Sequence, residues 1–95
     1  MDTYTQIATK IIKEQEQLMG PVAWSQAGKV AGIHVINAQT GEISIETGSN
    51  SRTVVDALVD QYSHLFGRAA KEVCKEAVSA LVADLAPSDV PQSLQ

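Results

Sequence analysis

The stretch Gly32-Ile33-His34-Val35-Ile36-Asn37-Ala38-Gln39-Thr40-Gly41-Glu42-Ile43-Ser44-Ile45-Glu46-Thr47 decides how this 95-residue chain folds. Ile33 and Val35 alternate with His34 and Ile36, and Ile43 and Ile45 alternate with Glu42, Ser44 and Glu46. On a strand such alternation sends one set of side chains to each face. Asn37 to Gly41 is a long hairpin loop, with Gly41 suited to a left-handed bulge position. The pattern predicts one antiparallel β-hairpin whose Ile33, Val35, Ile43 and Ile45 face the rest of the molecule.

On either side the apolar period lengthens to three and four. Tyr4, Ile7, Ala8, Ile11, Ile12, Gln15, Leu18 and Met19 form one stripe, which predicts a helix over Thr3 to Met19, capped by Asp2 or Thr3. Gly20-Pro21 interrupts it. Glycine suits the position after a helix and proline the first turn of the next, so a short second helix is expected from Pro21 to about Ala27 or Lys29. After the hairpin, Gly48 to Ser51 is turn chemistry, with Asn50 or Ser51 as N-cap. Val54, Val55, Leu58, Val59, Tyr62, Leu65 and Phe66 then line a helix face. Beyond Gly67 the period resumes through Ala70, Val73, Cys74, Ala77, Val78, Leu81, Val82 and Leu85, predicting a bend or a break at Gly67. Pro87 ends the helix, and residues 87–95, lacking a period, read as a mobile tail beyond a single α+β domain of residues 1–86.

The two helical parts can be superposed. Leu18-Met19-Gly20-Pro21-Val22-Ala23 matches Leu65-Phe66-Gly67-Arg68-Ala69-Ala70 at a constant offset of 47, and Ile7, Ala8, Ile11 and Ile12 fall on Val54, Val55, Leu58 and Val59. Two amphipathic helices share a period by default. A Gly-x-small-Ala match in the same phase does not follow from a shared period, and it predicts pseudo-twofold packing. A lone hairpin leaves both outer edges unpaired. Two hairpins pairing across a twofold into a four-stranded sheet would cover one edge of each, which is the basis for expecting a homodimer.

Seven Lys and Arg against eleven Asp and Glu give a net charge of −4. An acidic chain is a poor nucleic-acid binder and a poor match to anionic lipid. No apolar stretch approaches the roughly 20 residues of a membrane span. The opening residues lack the basic flank and apolar run of a secretion signal. One cysteine excludes an internal disulfide framework. Together these lead to the expectation of a cytoplasmic protein.

Candidate chemistry is sparse. Asp60 precedes His64 by one helical turn, a spacing that raises an imidazole's basicity and reads first as a surface ion pair. Ser63 beside His64 points about 100° away around the helix, and no oxyanion hole is evident. Cys74 lies in the apolar stripe and reads as a small buried hydrophobe, although Lys71 and Lys75 beside it would favour a thiolate if it were exposed. An enzymatic reading rests on Asp60, Ser63, His64 and Cys74 alone, and no enzyme is expected. His34, His64 and Cys74 lack the spacing of metal ligands, so neither metal nor cofactor is expected. Arg68, Lys71 and Lys75 form a basic helix face, solvated beside Glu72 and Glu76 or offered to an acidic partner. Trp24 is the sole tryptophan, an interface anchor or a core residue.

The Leu18-Met19-Gly20-Pro21-Val22-Ala23 element resembles the Gly-Pro-x-Ala element of small helical modules appended to bacterial, particularly cyanobacterial, signalling proteins. The likeness extends over roughly a third of the chain, and in the second copy Arg68 stands where the first has proline. It implies a non-catalytic interaction or regulatory module. The residue-level reading leads the same way, to a self-associating module that contacts an unidentified protein partner through Trp24, His34, Ile36, Arg68, Lys71 and Lys75. The alternative is a small-ligand sensor with a pocket near Trp24, Tyr62 and Phe66.

Overall fold

The computed structural model describes every residue except Met1, Asp2, Thr47 and Ser49; the expected Asp2 cap therefore lies outside the described residues. The element order is α1 (Thr3–Met19), α2 (Val22–Ala27), β1 (Ile33–Asn37), β2 (Glu42–Ile45), α3 (Ser51–Phe66) and α4 (Arg68–Val82), followed by two single 3-10 turns, Pro87–Asp89 and Gln92–Leu94. This is the α+β arrangement expected, with the last helical stretch broken rather than bent.

Each boundary has a local cause. The Asn50 side chain accepts a hydrogen bond from the Thr53 amide at 3.2 Å, capping α3. Gly67 sits at φ +80°, ψ −166°, a region that essentially only glycine occupies, and it separates α3 from α4. Gly20, at φ +74°, breaks α1 from α2 in the same way. In the hairpin, Ile33 lies opposite Ile45 and Val35 opposite Ile43, and a register shift follows between Val35 and Asn37. The Asn37 carboxamide oxygen accepts from the Gln39 and Thr40 amides, which tightens the loop. Ile33 and Ile43 are buried and Val35 and Ile45 partly so, with His34 and Ile36 on the outer face.

The two copies of the sequence repeat share one burial pattern. Ile7/Val54, Ala8/Val55, Ile11/Leu58, Ile12/Val59, Gln15/Tyr62, Ala23/Ala70 and Ala27/Cys74 are equivalent at the same offset, and all are buried. Two hydrogen bonds are exchanged between the copies. The Gln15 amide donates to the Ala70 carbonyl at 3.1 Å, and the Tyr62 hydroxyl donates to the Ala23 carbonyl at 2.7 Å. Residue 62 is the counterpart of 15, and 70 the counterpart of 23, so each unit reaches into the other at the same place. The pairs α1–α2 and α3–α4 thus interlock, with α1 packed on α4 and α2 on α3, while the hairpin rests on α1 and α2.

The segment expected to be a mobile tail is instead packed onto the helices. Val90, Pro91, Ser93 and Leu94 are buried against the body, so the domain extends past residue 86. Asp56 of α3 holds the segment: its carboxylate accepts from the Ser93 amide at 2.9 Å, the Ser93 hydroxyl at 2.7 Å and the Gln92 amide at 3.3 Å. The Arg52 Nε donates to the Val90 carbonyl, and the Tyr4 hydroxyl to that of Asp89. Val90 and Leu94 are only two apolar residues, with Pro91 between them in a polar stretch, which is why they do not read as core in the sequence.

Gly67→Ala should destabilise the fold by about 1–3 kcal/mol, from the backbone conformation alone, since no atom lies within 4 Å of a Cβ added there. A denaturant midpoint unchanged from the parent would refute this. Asp56→Ala should cost about 1.5–3 kcal/mol, the range for charge-assisted bonds, and should remove hydrogen-exchange protection from residues 90–94 first.

Candidate functional site

The residues singled out by sequence fall into two groups. Trp24, Tyr62 and Cys74 are built into the core. Trp24 is only 6% exposed, and its indole donates to the Glu16 carboxylate at 2.6 Å. It is therefore a packing residue and not a free anchor for a partner. Tyr62 is fully buried and committed to Ala23, whereas Phe66 is half-exposed beyond it. Of the three residues expected around a ligand pocket, Trp24 and Tyr62 are buried and Phe66 is half-exposed. His34, Ile36, Arg68 and Lys71 are exposed and Lys75 is half-buried.

The reactive groups are separated. Cys74 is buried and receives a hydrogen bond from the Gln15 amide at 3.3 Å. Burial pushes its thiol up to about 11, against a weaker lowering by Gln15, so near neutral pH it is protonated and shielded. Burial also raises the Tyr62 hydroxyl well above its ordinary value, with proximity to Cys74 adding to the effect. The Ser63 hydroxyl is buried with no hydrogen-bond partner, while His64 and Asp60 are exposed. Among the described residues the ion pair within 4 Å is Lys10–Glu14, at 3.5 Å; neither Asp60–His64 nor the Arg68, Lys71 and Lys75 face forms one. No three His, Cys, Asp or Glu residues come together to hold a metal among the described residues. No helix of the described residues is long and apolar enough to cross a membrane.

Two of the open clefts among the described residues bear on these groups. One, of about 360 Å³, is lined by Asp56, Asp60, Lys71, Gln92 and Ser93. The other, of about 270 Å³, lies between α1 and α4 and is lined by Gln6, Thr9, Lys10, Lys13 and Leu81. Asp56 already holds Gln92 and Ser93, so the first cleft presents chiefly Asp60 and Lys71 to solvent. Trp24, Tyr62 and Phe66 line neither cleft.

What sequence reasoning missed is an apolar surface. Leu18, Leu65 and Phe66 continue the core stripes of α1 and α3 and read as buried, yet they are 63%, 46% and 50% exposed, and Val22 is 48% exposed. These positions lie in the last turns before Gly20 and Gly67 and just after Gly20. The available signal was the repeat itself: Leu18 and Leu65 are equivalent, and each precedes its helix-breaking glycine by two residues.

No family model, no curated protein and no solved structure matches this chain.

The buried thiol and phenol make stability fall in alkali. Below the ordinary thiol value of 9.0 Cys74 is protonated in both folded and unfolded chains; between there and about 11 the unfolded chain releases its proton first. Stability therefore declines with rising pH across that window, and Tyr62 extends the decline upward. Melting temperatures recorded from pH 8 to 11 should drop, and the slope should be shallower for Cys74→Ala. Equal slopes for parent and variant would remove Cys74 from this account.

Proposed function

We propose that this chain is a non-enzymatic protein-interaction module that self-associates, working in the cytoplasm in the regulatory setting implied by its Gly-Pro-x-Ala element. One observation carries the reading. A fold that buries its core well, with Ile7, Ile11, Leu58 and Tyr62 at zero exposure, nevertheless leaves Leu18, Val22, Leu65 and Phe66 at about half exposure or more. Single exposed apolar residues are ordinary, but four of them flanking the two glycine breaks of a small domain support a binding surface.

The chemistry of the interior supports the same reading. Cys74 is protonated and enclosed, Tyr62 is bonded to a backbone carbonyl, and Asp56 is occupied with the C-terminal segment. These are groups used to hold the fold. The outer face of the hairpin, with His34 and the 60%-exposed Ile36, and the Arg68–Lys71 face remain for a different protein partner. Strand addition at the hairpin edges, which would join two hairpins into a four-stranded sheet, is one route to self-association.

Light scattering on a sizing column over a dilution series should return a mass near twice 10.1 kDa. A mass of one chain at every concentration would overturn self-association.

A further inference from the structure

We infer that the seam of α3 and α4 is a peptide groove, which residues 90–94 fill within their own chain and which the same segment of a second copy fills in exchange. For its choice of occupant the inference rests on the self-association proposed above, to which it gives a route.

The segment is held the way a peptide ligand is held. The turn Gln92–Leu94 packs on both α3 and α4, and Val90, Pro91 and Leu94 are its buried apolar side chains. Among the described residues, no backbone–backbone hydrogen bond ties residues 87–95 to the helices; their amides bond locally, Val90 to Pro87 and Leu94 to Pro91. Side chains of the body read the segment's backbone instead. Tyr4 donates to the Asp89 carbonyl at 2.7 Å and Arg52 to the Val90 carbonyl at 2.9 Å. Asp56, one helical turn after Arg52 on α3, takes the Gln92 and Ser93 amides at 3.3 and 2.9 Å and the Ser93 hydroxyl at 2.7 Å. Those are the first two amides of the 3-10 turn, which lack a partner inside it, and Pro91 before them has no side chain to cap them. The cap therefore comes from another element.

The stretch leading to the segment has the character of a hinge. Residues 83–89 are exposed apart from the half-buried Leu85. Ala86 and Val90, on either side of the first 3-10 turn, are extended, at φ −62°, ψ 146° and φ −74°, ψ 127°. Segments joined by exposed backbone and held by few main-chain bonds are the ones that open before the rest of a fold.

The bonds and the buried side chains define what the groove accepts: an aliphatic residue and a proline, a spacer, then a hydroxyl residue and a second aliphatic one. Val90-Pro91-Gln92-Ser93-Leu94 is that sequence, and each further copy of the chain carries it. Exchange of the segment between two copies rebuilds every contact made within one. It closes at two copies, each segment in the other's groove.

The test is complementation between two full-chain variants. Val90→Ser/Leu94→Ser keeps the groove and spoils the segment, whereas Arg52→Ala/Asp56→Ala keeps the segment and spoils the groove. Each is unfolded and refolded alone and with an equal amount of the other, then run by light scattering on a sizing column over a dilution series. Circular dichroism verifies the fold. Closed and exchanged forms of one variant make the same contacts, so neither variant gains by associating with itself. Only the mixed pair unites an intact groove with an intact segment. The expected result is a mixed dimer with a dissociation constant at least tenfold below that of either variant alone. Folded variants whose mixture associates no better than its components would overturn the groove, while a dimeric parent beside them would leave self-association standing. A complementing pair beside a parent of one-chain mass would uphold the groove and overturn self-association of the parent. If the double variants unfold, Leu94→Ser and Asp56→Ala take their places. Unfolding by Leu94→Ser as well would make the segment a part of the core that the helices require, and would overturn the exchange.

Discussion

The rest of the structure depends on the exchange of two hydrogen bonds across the crossing of the helical units. Ala23 and Ala70 are small enough for the facing helix to come close, and their carbonyls receive Tyr62 and Gln15. A buried polar side chain is tolerated only where it finds a partner, so these two residues admit few alternative packings of otherwise similar apolar stripes. The specification has a cost. Gln15 is fully buried, and its Oε1 has no partner, the kind of group that forfeits about 1–3 kcal/mol. Its Nε2 is shared between the Ala70 carbonyl and the Cys74 sulfur. Hydrophobic burial supplies most of the driving force; the exchanged bonds set which helix meets which.

Much of this was readable from the residues. Period-two alternation located the hairpin, period 3.6 located the helices, and Gly20 and Gly67 marked the breaks, because each of those signals is local. The offset of 47 exposed the duplicated half before any coordinates. The exchanged bonds were not legible, since a glutamine and a tyrosine do not look equivalent until their partners are seen. The docked C-terminal segment was missed for a related reason. Val90 and Leu94 are isolated apolar residues in a polar stretch, and their burial depends on Arg52 and Asp56 far away in the chain. The candidate site was read least well. Trp24 looks like an interface anchor until Glu16 is found beside it, and Leu18, Leu65 and Phe66 look like core because periodicity cannot say where a supporting helix stops.

On the reading proposed above, function in this molecule belongs to its surface. The polar interior is spent on internal connections: Trp24 to Glu16, Gln61 to Gln26, Tyr62 to Ala23, Asp56 to Ser93. Surface binding needs none of these groups to titrate. A rigid framework that presents apolar side chains at fixed spacing lowers the entropic cost of association, and the positive-φ conformations of Gly20 and Gly67 fix the turns that follow Leu18, Leu65 and Phe66.

The interlocking of α1 with α4 has a consequence for how the chain is made. Gln15 and Ala70 are 55 residues apart in sequence, and Tyr62 and Ala23 are 39 apart. Neither half can complete its own core, because the side that closes it belongs to the other half. A ribosome that has released α1, α2 and the hairpin has delivered an amphipathic helix with one flank still open to water. Such non-local closure slows folding and leaves a nascent chain exposed to aggregation or to chaperones until the last helix emerges. The duplicated architecture thus ties the two halves into one cooperative folding event, in which the final helix is the one that commits the chain.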